Sequence, residues 1–208
     1  MKLFLASKAR HPDSVKKLEN FVGGFINKTI AYIPTAENGE SSYGSWKIKS
    51  ETWKLVNTLS AKVEAVVLEN YKNSSVMGAL KGKDIIWIAG GMCGYLMYWI
   101  RRCELDKNIR EILNTGPIYV GSSAGSMICS PTLTIAEQYP GDEEYGAGVI
   151  PGLGLVNFDI LPHFEDSMME SIKDIYKGKE LYLLKDGEAI TIEDNNIEVL
   201  GEKRIYKG

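Results

Sequence analysis

The sequence predicts an α/β fold in which a mostly parallel sheet is sandwiched by helices and followed by a C-terminal β-meander. Three observations carry that prediction. Short β-rich apolar runs alternate with segments of helical period through most of the chain, the pattern of a parallel sheet covered by helices. The final segment, "ELYLLKDGEAITIEDNNIEVLGEKRIYKG", alternates apolar and polar residues around "DG" and "NN" turns. The length of 208 residues suits one domain, 1–208, with a substantial core, and 44% hydrophobic with 25% charged residues is ordinary globular usage.

Taken in order, "KLFLA" opens as a strand. "DSVKKLENFVGG" places Val15, Leu18, Phe21 and Val22 on one helical face and ends in glycines suited to a C-terminal cap. "TIAYIPT" is the second strand, and the polar "ENGESSYGSW" a loop. "WKIKSETWKLVNTL" reads as a helix through Trp46, Trp53, Leu55, Val56 and Leu59. "VEAVVLE" and "DIIWIAGG" read as buried strands around a short helix at 76–80. "YLMYWIRRCEL" is helical, "NIREILNTG" continues or restarts it, and "PIYVGSS" is a strand. Residues 130–150 form a long connection with several acids, of the length that is often functional. "LGLVNFDILPHF" returns to strand character, and "EDSMMESIKDIYKG" is a helix closed by Gly178.

Composition excludes several classes of function. A net charge of -3 without a dense Lys/Arg block argues against a nucleic-acid partner. The N-terminal apolar stretch is too short for a signal-peptide core and no run could span a bilayer, so no membrane is expected and the expected location is cytoplasmic. Cys93, Cys103 and Cys129 form no CxxC pair or even disulfide set, which fits a reducing compartment. With only His11 and His163 in the chain, a zinc site is not expected. "GGMCGY" lacks the G-x-G-x-x-G spacing of a dinucleotide site, and no cofactor is implied.

The chemistry concentrates in "PIYVGSSAGSMICSP". Gly121, Ser122, Ser123, Ala124 and Gly125 form a G-x-S-x-G arrangement, in which small neighbours allow a sharp strand-to-helix turn that exposes the serine oxygen beside backbone N–H groups. Such a sequence serves equally as a structural turn, and the surroundings decide. A serine needs a base and the base an orienting partner. His163, just after a predicted strand, would reach the carboxyl edge of the same parallel sheet. His11, followed by Pro12, Asp13 and Ser14 at a helix start, belongs to the surface. Gly90 and Gly91 form a second tight turn, whose N–H would complete an oxyanion hole with that of Ala124. Cys93 also follows a strand, but Tyr95 stands where an elbow needs its second glycine, so burial is its expected role, as it is for Cys103 and Cys129.

The pieces "FLAS", "AYIPTA", "IWIAGG", "YVGSSAGSMICSPT" and "DILPHF" resemble, in order and spacing, the peptidase E or aspartyl dipeptidase family of serine peptidases, relatives of cyanophycinase. The resemblance spans residues 1–165. It implies a fold like that of the class I glutamine amidotransferases and hydrolysis of short peptides through an acyl-enzyme. It makes Ser123 the nucleophile, His163 the general base, and Gly91 with Ala124 the oxyanion donors. The acid it implies lies in the connection after the elbow: Gln138 stands at the ungapped position and Glu137 is one residue away, so Glu137 is the choice, with Asp159 and the run Asp142, Glu143 and Glu144 as alternatives. Met92-Cys93 replaces the Asn-Thr common after the glycine turn. The helix after His163 carries no arginine for a substrate aspartate, so the selected side chain stays open. An esterase-type acyl hydrolase and a noncatalytic binding relative are the rival readings. Tyr43, Trp46 and Tyr145 are expected as exposed aromatics, suited to a substrate mouth or to an interface in a homo-oligomer.

Overall fold

The computed structural model describes residues 1–40, 45–139, 141, 142, 146, 148 and 150–208. Its strands are β1 (Lys2–Ala6), β2 (Thr29–Ile33), β3 (Lys62–Ala65), β4 (Ile85–Ile88), β5 (Ile118–Ser122), β6 (Asp159–Leu161), β7 (Leu181–Leu183), β8 (Ala189–Glu193), β9 (Asn196–Leu200) and β10 (Ile205–Tyr206). Among the described residues, seven of them form one sheet in the order β3-β2-β4-β5-β1-β8-β9. The first five are mutually parallel, while β8 runs antiparallel to both β1 and β9. The remaining three form a small sheet, β10-β7-β6.

Side chains alternate across a strand, so one apolar strand feeds two cores. Leu3 and Leu5 of β1 and Ile86 and Ile88 of β4 enter one buried cluster; Phe4, Ala6, Ile85 and Trp87 enter the other. Helices cover both faces. α1 (Pro12–Val22) is capped by the His11 side chain at its start and by Gly23 at φ 70° at its end. It packs Leu18 and Val22 beside Phe4, with α2 (Thr35–Asn38), α3 (Trp46–Lys49) and α4 (Glu51–Val56) following β2. On the opposite face lie α5 (Val76–Leu80), α6 (Cys93–Arg102) and α7 (Leu105–Asn114). The short α8 (Ala124–Met127) follows β5, and α9 (Met169–Ile175) lies between β6 and β7.

Several expectations are corrected. The helix expected around residue 50 is two helices, because Ser50 has extended backbone and turns its hydroxyl to cap α4 by accepting from Trp53 N–H. β3 is an edge strand with half-exposed side chains rather than a buried one. α9 ends at Ile175 against the extended Tyr176, so Gly178 does not close it. The tail is not one meander: Asp194 and Asn195, both at positive φ, do turn β8 into β9, but β7 and β8 belong to different sheets. Trp46 is buried against Tyr32 and Trp53 instead of exposed, while Tyr43 and Tyr145 lie outside the described residues.

Parallel alignment places the carboxyl ends of β1, β2, β4 and β5 at one edge, where ligands of open α/β sheets bind. The segments leaving that edge are Ser7 to His11, Pro34 onwards, Ala89 to Met92, and the turn at Ser123. Among the described residues, no helix is long and apolar enough to cross a membrane.

Candidate active site

Ser123 sits between β5 and α8 with φ 51° and ψ -113°, a conformation that residues with side chains rarely adopt. Its surroundings impose it. The Ser123 N–H donates to Ala6 O at 3.0 Å, and its carbonyl accepts from Ser126 and Met127 N–H at 2.8 and 2.9 Å. Both flanking glycines are required by close backbone approach. A Cβ on Gly121 would fall 2.5 Å from Gly125 O, and one on Gly125 would fall 2.3 Å from Ile88 O. The turn is therefore a strained strand-to-helix elbow fixed from three strands.

His163 follows β6, which lies in the small sheet and not at the edge of the large one as the sequence suggests. It too has a positive φ of 51°, and its N–H donates to Ser7 Oγ at 2.8 Å. This turns the imidazole towards the elbow: Nε2 lies 3.0 Å from Ser123 Oγ. On its other side Nδ1 lies 2.7 Å from Asp186 Oδ1. A carboxylate accepts, so Nδ1 carries the hydrogen and Nε2 faces the serine hydroxyl as an acceptor. Tyr139 meets the imidazole edge-on, its ring centroid 6.4 Å away.

The carboxylate that meets His163 is thus Asp186, in the turn between β7 and β8. Glu137 is exposed, on a 3₁₀ turn, and its carboxylate lies against Gly148. Gln138 accepts from Ser171 Oγ at 3.0 Å. Asp159 is buried and accepts from Thr132 and from Tyr176 OH, and Asp142 is buried and accepts from Gly94 N–H at 3.1 Å. Glu143 and Glu144 lie outside the described residues.

Asp186 is held from several directions. Ser7 Oγ donates to Oδ1 at 3.1 Å and Lys8 Nζ to Oδ2 at 2.9 Å. Partial burial raises the carboxyl's pKa, but the hydrogen bonds from Lys8 and His163, together with the Lys8 charge, outweigh it and hold it below the usual carboxylate range. Gly187 at φ 92° leaves room for the His11 ring, and Lys17 Nζ donates to Gly187 O and Leu200 O at 2.8 and 2.7 Å.

The second glycine turn abuts the serine. A Cβ on Gly90 would fall 3.1 Å from Ser123 Cβ. Gly91, at φ 127°, presses its backbone on α2, where a Cβ would fall 2.2 Å from Ala36 O. Among the described residues, the N–H groups of Gly91 and Ala124 meet no acceptor, as donors kept for a ligand oxygen would be. Met92 N–H is occupied by Ala36 O at 3.0 Å. Cys93 begins α6, where burial, and then the adjacent Asp142 carboxylate, push its thiol well above the usual range. It is no rival nucleophile. Among the described residues, no cluster of three or more His, Cys, Asp and Glu could hold a metal ion.

Ser7, Lys8 and Asp186 are the residues of this hydrogen-bonded cluster that sequence reasoning passes over. The first two were visible only as the end of "FLASK", and Asp186 only as half of a "DG" turn. The missing link is the parallel pairing of β6 with β7, Leu161 opposite Leu183, which carries the residues after each strand to the same end.

An α/β sheet with a serine on a strand-to-helix elbow, bonded to a histidine and a carboxylate, is the architecture of a serine-type hydrolase. The chain belongs to peptidase family S51, whose model matches residues 3–200, and is a serine-type peptidase. It is 27% identical over 201 residues to an uncharacterized peptidase of Listeria monocytogenes serovar 1/2a, covering 94% of this chain and 96% of that one. It is 26% identical over 203 residues to the peptidase E of a Nostoc species, covering 92% and 79%. The crystal structure of "a Putative Peptidase E Protein" from Listeria monocytogenes EGD-e superposes with a TM-score of 0.79 at 27% identity, covering 95% of this chain and 96% of that one.

Proposed function

We propose that the protein hydrolyses short peptides as an exopeptidase or dipeptidase, through an acyl-enzyme on Ser123. The observation that carries this reading is the continuous chain from Ser123 Oγ through His163 to Asp186, with contacts of 3.0 and 2.7 Å. His163 Nε2 takes the hydroxyl proton as Oγ attacks the scissile carbonyl, and the oxygen of that carbonyl becomes an oxyanion. The N–H groups of Gly91 and Ala124 hold the oxyanion. The imidazolium then gives its proton to the leaving amine, and water repeats the sequence to free the acid product and restore Oγ–H. Asp186 keeps the hydrogen on Nδ1 and stabilises the transient imidazolium. The short-peptide substrate class rests on family membership and on the relatives named peptidase E. Three cysteines, all free and buried, accord with a reducing, cytoplasmic setting.

The test is labelling with a fluorophosphonate, the adduct mapped by mass spectrometry, together with turnover of a short-peptide library. The expected result is a Ser123 adduct that His163→Ala abolishes, with hydrolysis lost in a folded Ser123→Ala variant. Peptide hydrolysis that survives Ser123→Ala would overturn the assignment.

A further inference from the structure

We propose that Lys8 is a positioning residue that counterbalances the charge of Asp186 and thereby sets the lower pH limit of activity. The inference rests on the reading of His163 as general base and Asp186 as its partner, and it adds a fourth group that the motifs do not contain.

The two oxygens of Asp186 are divided. Oδ1 accepts from His163 and Ser7, whereas Oδ2 accepts from Lys8 Nζ at 2.9 Å. An exposed lysine–carboxylate pair is usually worth little, because the long side chain is free to leave. Here the lysine backbone is pinned on both sides. Ser7 Oγ accepts His163 N–H at 2.8 Å, and Ala9 N–H donates to Ser122 Oγ at 3.0 Å. The same five-residue stretch that closes on the elbow therefore presents the ammonium to the carboxylate, with the Lys8 side chain only 30% exposed.

The consequence follows from Coulomb attraction. A lone carboxylate beside an imidazole stabilises its protonated form, which cannot act as a base, and a cation on the far oxygen offsets part of that stabilisation. The other charged or titratable groups around the pair are otherwise engaged or lie outside it. From α1, His11 caps its own helix and faces Asp13, and the Lys17 ammonium is taken up by Gly187 O and Leu200 O rather than by the carboxylate. On the turn itself, Lys185 pairs with Asp166 and Glu188 with Arg204. Tyr139 presents its ring to the imidazole while its hydroxyl donates to Pro162 O, and Arg10 is exposed beyond Ala9, acting on Glu37 and Glu40. Among the described residues, this leaves Lys8 as the cation in direct contact with the Asp186 carboxylate.

The experiment compares the pH dependence of kcat/KM on a short peptide for wild type, Lys8→Met and Lys8→Arg. In Lys8→Met the acid limb should move to higher pH by roughly 0.5–1 unit, with most of that shift reversed in Lys8→Arg. A purely structural role would lower kcat at every pH and leave the limb in place, and that outcome overturns the proposal. The midpoint of His163 protonation, followed by NMR in the Ser123→Ala background with and without Lys8→Met, reads the same shift without turnover. An upward midpoint shift supports the role of Lys8 even where no peptide is cleaved, a result that would instead count against the peptidase reading. An unmoved midpoint in folded protein overturns it.

Discussion

Asp186 accepts hydrogen bonds from Ser7, Lys8 and His163, and each donor restricts where the imidazole can turn. Replacing it with asparagine keeps the size of the side chain but lets the amide donate to Nδ1, which favours the wrong tautomer. Asp186→Asn should therefore lower kcat by about 10³-fold or more, with KM little changed, in steady-state assays. Glu137→Gln, on an exposed turn, should remain within about twofold of wild type, as most surface changes are mild. These two variants decide which carboxylate serves the histidine. At this scale the serine and the histidine could be singled out in the sequence as candidates that would meet, because the elbow's glycines and the late "PHF" are local patterns. The carboxylate was not: its partner is 23 positions away, and only the pairing of two short strands brings them together.

At the scale of elements, the site depends on how α2 meets the glycine turn. Gly91 is packed so closely on Ala36 that a methyl group at its Cα has nowhere to go, and its φ of 127° is strained for any side chain. Gly91→Ala should cost roughly 1–3 kcal/mol of stability by chemical denaturation, and should slow fluorophosphonate labelling of Ser123 more than tenfold. On α2 itself, Glu37 is buried and accepts from Ser50 Oγ at 2.5 Å and Tyr32 OH at 3.2 Å. Burial dominates over those donors and raises its carboxyl to about 7. The folded state therefore holds a proton that the unfolded chain releases near 4.5, the ordinary value for a glutamate. Stability contributed by the protonated form is fully present below that value and is lost as pH rises to about 7. Glu37→Gln should flatten this part of a plot of Tm against pH. Most strands, and α1, were readable from period and caps. The break at Ser50 was not, because a serine inside an apolar helical period is neutral until its hydroxyl is seen to cap the next helix.

For the whole molecule, the decisive feature is that the site is shared between two sheets. Ser123 leaves the large sheet and His163 the small one, while Asp186 lies on the crossing between them. The crossing is clasped by Arg204 Nη1, which donates to Glu188 Oε2 at 2.7 Å with both side chains mostly buried. Arg204→Met should destabilise the fold by about 2–3 kcal/mol, less than for a fully dry pair because both groups still touch water. Because it loosens the turn bearing Asp186, it should also lower kcat at temperatures where the protein remains folded. The layered α/β class was evident from alternation alone. That the last strands divide between two sheets was hidden, since alternating apolar and polar residues look the same whichever sheet they join.

The position of Asp186 also imposes an order of events on the ribosome. The growing chain exposes its serine, then its histidine, and only later the acidic turn and the strands that grip it. Until β8 has added to β1, the turn that carries Asp186 lacks the second of its two flanking strands. A stalled or clipped product ending before residue 185 should consequently resist fluorophosphonate labelling, so unfinished copies of this hydrolase would stay harmless to the peptides around them.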